Sequence, residues 1–177
     1  MIRGLFAQPV LWLLACVICA PNPAGGAEAR PEEPVQFRLL VGQQEYKRGE
    51  PIRVGFELAN TGTEPTDVNA RFYLADSQLE PRDREVALQV LDPSGAPRSC
   101  QYRRPAGYPK TDDFQRLEPG KSVTSEHEVE LQWLFSMTAP GIYHVSGTYE
   151  NVYGPEIGLE TVKGPLHSET IAITNLE

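Results

Sequence analysis

Residues that could do chemistry are few in this chain: one cysteine set among arginines, three separated histidines, and short runs of carboxylates. Residues 98–110 carry Arg98, Arg103, Arg104 and Lys110 together with Tyr102 and Tyr108, and contain no acid. A long loop with prolines can offer Arg and Tyr to a partner, both being favoured anchors at interfaces. Arg98, Arg103, Arg104, Tyr108 and Lys110 are therefore candidate binding residues; the alternative is a solvated loop whose charges meet acids of its own domain. Tyr153 joins them as an aromatic on a strand leaving into a long loop, where exposure is expected. Cys100 lies in the same stretch, and its arginine neighbours would favour a thiolate. The competing reading packs the thiol as a small apolar group.

The remaining groups select no reaction. His127, His144 and His167 stand singly, without the spacing of metal ligands, so neither a metal nor a cofactor is expected. His144 should share an outward face with Ser146 and Thr148, and His127 should lie on the more apolar face of its strand. Glu126, Glu128 and Glu130 fall on one face at a period of two, and either face solvent or receive positive charge. Residues 76–85 mix Asp76, Glu80, Asp83 and Glu85 with Arg82 and Arg84, without the regular spacing of a calcium loop. Tyr149, Tyr153 and Trp133 could stack against a sugar or complete a core. No nucleophile elbow, phosphate-binding glycine loop or selected carboxylate pair is present, so a non-enzyme is expected.

The elements that must hold these residues read as strands. Apolar residues alternate at Val35, Phe37, Leu39 and Val41, at Ile52, Val54, Phe56 and Leu58, and at Val68, Ala70, Phe72 and Leu74. The same period runs through Val86, Leu88 and Val90, through Val123, Ser125, His127, Val129 and Leu131, and through Tyr143, Val145, Gly147 and Tyr149, with Ile171 and Ile173 last. Turn residues separate the runs, among them Gly49-Glu50-Pro51, Asp92-Pro93-Ser94-Gly95, Glu118-Pro119-Gly120 and Ala139-Pro140-Gly141. Helix or 3₁₀ structure is expected only around residues 131–137. The 177 residues, with 15 Gly and 16 Pro, suit one domain and exclude a coiled coil. Seven or eight short strands imply an all-β fold, a single antiparallel sandwich over residues 35–177.

The N-terminus sets the expected compartment. Arg3, the apolar stretch of residues 5–20 and the small residues up to Ala27 form a secretory signal over residues 1–27, followed by a linker over 28–34. The apolar stretch is too short for a spanning helix, which needs roughly 20 residues. Leu13-Leu14-Ala15-Cys16 resembles a bacterial lipobox, so lipidation of Cys16 and a lipid anchor form the alternative to a free soluble product. Either way the protein is expected to be exported, periplasmic or extracellular, and cleavage after Ala27 would leave Cys100 as the one cysteine. A net charge of −8 argues against nucleic acid as partner and leaves a protein or another cell-envelope component.

Two segments carry a resemblance. Pro140-Gly141-Ile142-Tyr143-His144-Val145 resembles the start of strand F in immunoglobulin-like domains, and residues 46–62 are similar to the A′–B segments of bacterial Ig-like modules. The resemblance implies a tyrosine corner at Tyr143, its hydroxyl folded back onto backbone, with Val145 in place of the antibody cysteine. It implies an Ig-like binding module acting through its end loops. Residues 46–62 are also similar to BsuPI-type proteinase inhibitors, which implies an alternative in which the basic loop 98–110 is presented to a protease.

Overall fold

Inward alternation builds the two faces that meet. The computed structural model describes residues 34–176, which fall within one compact unit, Glu32–Glu177. The signal over residues 1–27, the lipobox at Cys16 and nearly all of the linker lie outside the described residues. Twelve strands follow in order among the described residues: β1 (Val35–Val41), β2 (Glu45–Tyr46), β3 (Arg53–Asn60), β4 (Thr66–Asn69), β5 (Val86–Leu91), β6 (Pro97–Arg98), β7 (Phe114–Leu117), β8 (Ser122–Thr124), β9 (Val129–Glu130), β10 (Gly141–Tyr149), β11 (Leu166–His167) and β12 (Ile171–Asn175). One short α-helix, α1 (Leu131–Phe135), interrupts them where helical structure was expected, and 3₁₀ turns at Pro81–Asp83, Thr111–Asp113 and Pro155–Ile157 correct the expectation that such structure is confined to residues 131–137.

The architecture is the expected all-β sandwich, with more and shorter strands than the seven or eight anticipated. One sheet runs β1-β3-β8, with β9 pairing further along β3; the other runs β2-β12-β10-β5-β6, with β11 beside β10. A separate ribbon pairs β4 with β7. Pairing is antiparallel except between β2 and β12, which run parallel because the chain crosses to the second sheet after β1 and returns for β3. Between the sheets, Phe37 meets Phe56 at 6.1 Å and Tyr149 at 5.9 Å, and Phe72 meets the same two rings from the other side. These contacts tie strands of both sheets into one core.

Two expected strands are broken, each for a local reason. The run through Val68, Ala70, Phe72 and Leu74 ends as a strand at Asn69, and Phe72 takes a left-handed backbone, φ +50°. That conformation costs a bulky residue about 1 kcal/mol or more. Burial of the ring against Phe56 and Tyr149 offsets the cost. The run through Val123 and Leu131 splits at Ser125, whose hydroxyl accepts from the Phe56 amide at 3.1 Å while its own amide donates to the Phe56 carbonyl at 2.9 Å. Beyond it the chain turns helical. Leu131, Leu134 and Phe135, at helical spacing, are buried. Gln132 locks α1 to the start of β3, its Oε1 accepting from the Ile52 amide at 2.8 Å and its Nε2 donating to the Glu50 carbonyl at 2.6 Å.

Candidate functional site

A groove opens where two consecutive strands part company. The turn at Glu118-Pro119-Gly120 joins β7 to β8, yet β7 pairs with β4 and β8 with β3, so the two diverge from that turn. At the closed end the Asn60 side-chain amide donates to the carbonyls of Leu117 and Glu64, both at 2.9 Å, serving β7 where it leaves the sheet. At the open end lies a groove of about 620 Å³. Phe56, Phe72, Leu74 and Leu134 bring buried apolar residues to it. Asp112, Asp113 and Gln115 line it from the β7 side, and residues 124–130 from the β8 side. Trp133 borders the groove 81% exposed, because the buried face of α1 is occupied by Leu131, Leu134 and Phe135.

The wall made by Arg71 and Tyr73 is built on a buried ion pair. Glu85 is 1% exposed. Its carboxylate takes a fork of two bonds from Arg71, through Nη2 and through Nε at 3.1 Å, and also accepts from the Asn69 amide at 3.1 Å and the Tyr73 backbone at 2.9 Å. Every lone pair that burial would strand has a donor, the condition under which a buried carboxylate is tolerated. Arg71 Nη1 then donates to the Gly107 carbonyl at 2.6 Å, fastening the long loop to this wall. Tyr73 and Tyr102 share a hydrogen bond between their hydroxyls at 3.0 Å. Burial, and after it that bond, push the Tyr73 phenol up to about 12.

The loop residues chosen from sequence are largely committed inside the domain. Arg98 pairs with Asp92 at 3.0 Å and Arg103 with Asp76 at 2.8 Å, so these two charges meet acids of their own domain. Backbone bonds pin the same stretch: Gln101 to Leu134 at 2.9 Å, Asp76 to Tyr102 at 2.9 Å and Ala106 to Asp83 at 2.8 Å. Arg104 and Lys110 remain exposed, and Tyr108 is 86% exposed. Tyr153 corrects the expectation of exposure. It is buried, its hydroxyl donates to the Arg82 carbonyl at 2.7 Å, and its ring meets Tyr108 edge-on at 5.7 Å. A platform of Tyr149, Tyr153 and Trp133 does not form, since both tyrosines are buried and Trp133 alone is exposed.

Other placements follow from the broken strands. Glu126, Glu128 and Glu130 are all exposed, although they do not belong to one continuous strand. His127 is exposed rather than on an apolar face, because residues 125–128 leave the strand geometry. His144 is exposed on β10 as expected. Cys100 is buried, and burial pushes its thiol up, which opposes a reactive thiolate. Tyr143 is fully buried, with its hydroxyl donating to the Ala139 carbonyl at 3.0 Å and accepting from the Ala139 amide at 3.1 Å. Among the described residues no group of three or more His, Cys, Asp or Glu is arranged to hold a metal ion, and no helix is long and apolar enough to cross a membrane.

Sequence reasoning missed the groove itself. Trp133, a stacking candidate from sequence, is turned outward by the Leu131, Leu134 and Phe135 spacing and borders the groove without the two tyrosines expected beside it. The parting of β7 and β8 leaves no local signal.

No family model and no curated protein matches the chain. A solved structure of a β-glucosidase from Erythrobacter marinus is similar over 80% of this chain and 15% of its own, with 15% identity and a TM-score of 0.35. This chain therefore spans about 15% of that enzyme, and a likeness of that size carries no argument about fold or activity.

Proposed function

We propose that the protein is an exported, non-enzymatic binding module of Ig-like type that seats its ligand in the groove between β7 and β8, rather than chiefly on its end loops. The observation that carries this reading is the groove of about 620 Å³ with an apolar floor and the exposed indole of Trp133 at its border. Volumes of about 300–1,000 Å³ are usual for ligand sites, and convergent polar groups around an apolar floor are their usual chemistry. An exposed Trp is also the residue most often found to dominate an interface. Tyr102 joins the basic loop to the groove: the loop contributes a groove wall through it while Arg103 holds the loop in place.

The test is site-specific photo-crosslinking in producing cells, with a photoreactive amino acid at Trp133 or Tyr102 and, as a control, at Leu40. This control position is exposed and does not line the groove. Adducts of one discrete size from the groove positions and none from the control are expected. Silence at both groove positions, or identical adducts from all three, would overturn the reading.

A further inference from the structure

We propose that the outer face of the sheet formed by β12, β10 and β5 is a self-association surface, and that it takes the same face of a second copy of this chain. None of its residues lines the groove, so the two surfaces stand or fall separately.

Charge is missing from this face. Along β10 the core takes Tyr143, Val145, Gly147 and Tyr149, which turns Ile142, His144 and Ser146 outward. Cross-strand partners share a face, so Leu91 of β5 and Ala172 and Thr174 of β12 stand beside them. No outward position on these three strands is Asp, Glu, Lys or Arg, in a chain that is 23% charged. The outer face of the other sheet differs. There Arg38 pairs with Glu57 at 3.3 Å across β1 and β3, and Arg53 lies opposite Glu130 across β3 and β9. Depletion of charge is the compositional mark of an interface centre, more than apolarity is.

Relief and size fit a sheet-on-sheet contact. Ser146, Ala172 and Thr174 are short, so the face is flat where β10 and β12 run side by side. Ile142, 50% exposed, stands above it, and Leu176, 40% exposed, follows two residues after its partner Thr174. Flat faces with side chains of this size pack about 10 Å apart, as the two sheets of a sandwich do. The nine residues of β10 rise about 30 Å, and five strands span about 24 Å. That outline is at most about 700 Å² per copy, a little below the about 800 Å² per partner of a standard interface. A dimer that exchanges with monomer is expected, not an obligate one.

The same charge pattern selects the occupant. A chain of net charge −8 repels its own copies, and the repulsion is least where the facing surfaces carry no charge. A basic partner finds no carboxylate here to hold it, and an acidic partner no cation. A second copy needs neither: a two-fold axis sets neutral face on neutral face. Ile142 and Leu91 then bury apolar surface, while the hydroxyls of Ser146 and Thr174, which both donate and accept, find counterparts of their own kind.

Sedimentation equilibrium of the full-length chain, run from about 1 to 200 µM, should show monomer and dimer in exchange with a micromolar Kd. Net repulsion opposes this contact and no ion pair supports it, so raising salt from about 0.05 to 0.5 M should tighten the dimer. Ser146→Glu places a carboxylate near the middle of the face, on its solvent side, and should weaken the dimer about tenfold or more at an unchanged urea midpoint. Ala172→Glu, at an exposed position, is the second variant if that midpoint moves. Gln36→Glu adds the same charge to an exposed position of the other sheet and should leave the dimer as it was. Monomer throughout the range, a dimer indifferent to both face variants, or equal loss in Gln36→Glu overturns the proposal. In producing cells a photoreactive amino acid at Ala172 should give an adduct with the mass of two chains; an adduct of any other size assigns the face to a different partner and overturns the second copy.

Discussion

Arg71 shows at the residue scale how far one side chain can decide the site. Its guanidinium satisfies the buried Glu85 and holds the Gly107 carbonyl, so Arg71→Ala leaves a carboxylate without its ion-pair partner in the core and releases the loop at Gly107. Breaking a buried pair from one side typically costs about 3–5 kcal/mol. Arg71→Ala is expected to fall in that range by urea denaturation, and a cost near zero would mean that water already reaches Glu85. The phenols give a second residue-scale expectation. Tyr46, Tyr73, Tyr149 and Tyr153 are all raised above 10.0, with burial as the largest cause in each. A folded pKa above the unfolded one means that the folded state holds its protons more tightly. Stability is therefore intact below about pH 10 and lost as pH rises through the raised values, which for Tyr73 means up to about 12. Following phenolate absorbance and unfolding together should show these tyrosines ionising late or only on unfolding; ordinary titration of all seven tyrosines in a folded chain would contradict it.

At the scale of elements, β10 is the strand on which both sheets depend. A methyl at Gly147 would sit 2.9 Å from the Phe37 ring and 3.0 Å from Leu39 across the sandwich. Gly147→Ala is expected to destabilise by about 1–3 kcal/mol through overpacking, measurable as a lower denaturation midpoint at unchanged slope. A change below a few tenths would show that the sheets move apart freely there. The same strand explains what could be read in advance. β1, β3 and β10 bury strictly alternate or near-continuous apolar residues, and their alternation in sequence survives as alternation in space. The stretch over residues 68–74 shows the same alternation and misleads, because the left-handed Phe72 changes which face the following residues present. Residues 123–131 mislead because Ser125 binds back to Phe56, a partner fixed only by tertiary packing. The groove was therefore illegible for a physical reason: it is defined by β7 and β8 choosing different neighbours, and pairing choice is not written in either strand alone.

For the molecule as a whole, the question is whether its surplus of acid is diffuse or placed. The basic loop does not answer the surface glutamates; Arg98 and Arg103 are spent on Asp92 and Asp76, while Glu130 lies opposite Arg53 on the paired strands β9 and β3. This separates two adjacent arginines that looked equivalent in sequence. Asp76 is buried, and Arg103 covers it, whereas Arg104 is exposed and contributes its backbone carbonyl to the Tyr73 hydroxyl. Arg103→Ala should cost about 1–2 kcal/mol by uncovering that carboxylate, and Arg104→Ala should cost little. The same logic bears on protease inhibition. An inhibitor holds its reactive segment out in an extended form that a protease can grip; here backbone bonds fasten residues 101, 102 and 106 to the body, and the exposed remainder is short. Titrating the full-length chain against trypsin-like and subtilisin-like proteases is expected to leave their activity intact, with any cleavage confined to residues 107–110. Stoichiometric inhibition by an uncleaved chain, lost in Arg104→Ala and kept when Trp133 is replaced, would return recognition to the loop and remove the groove from the account.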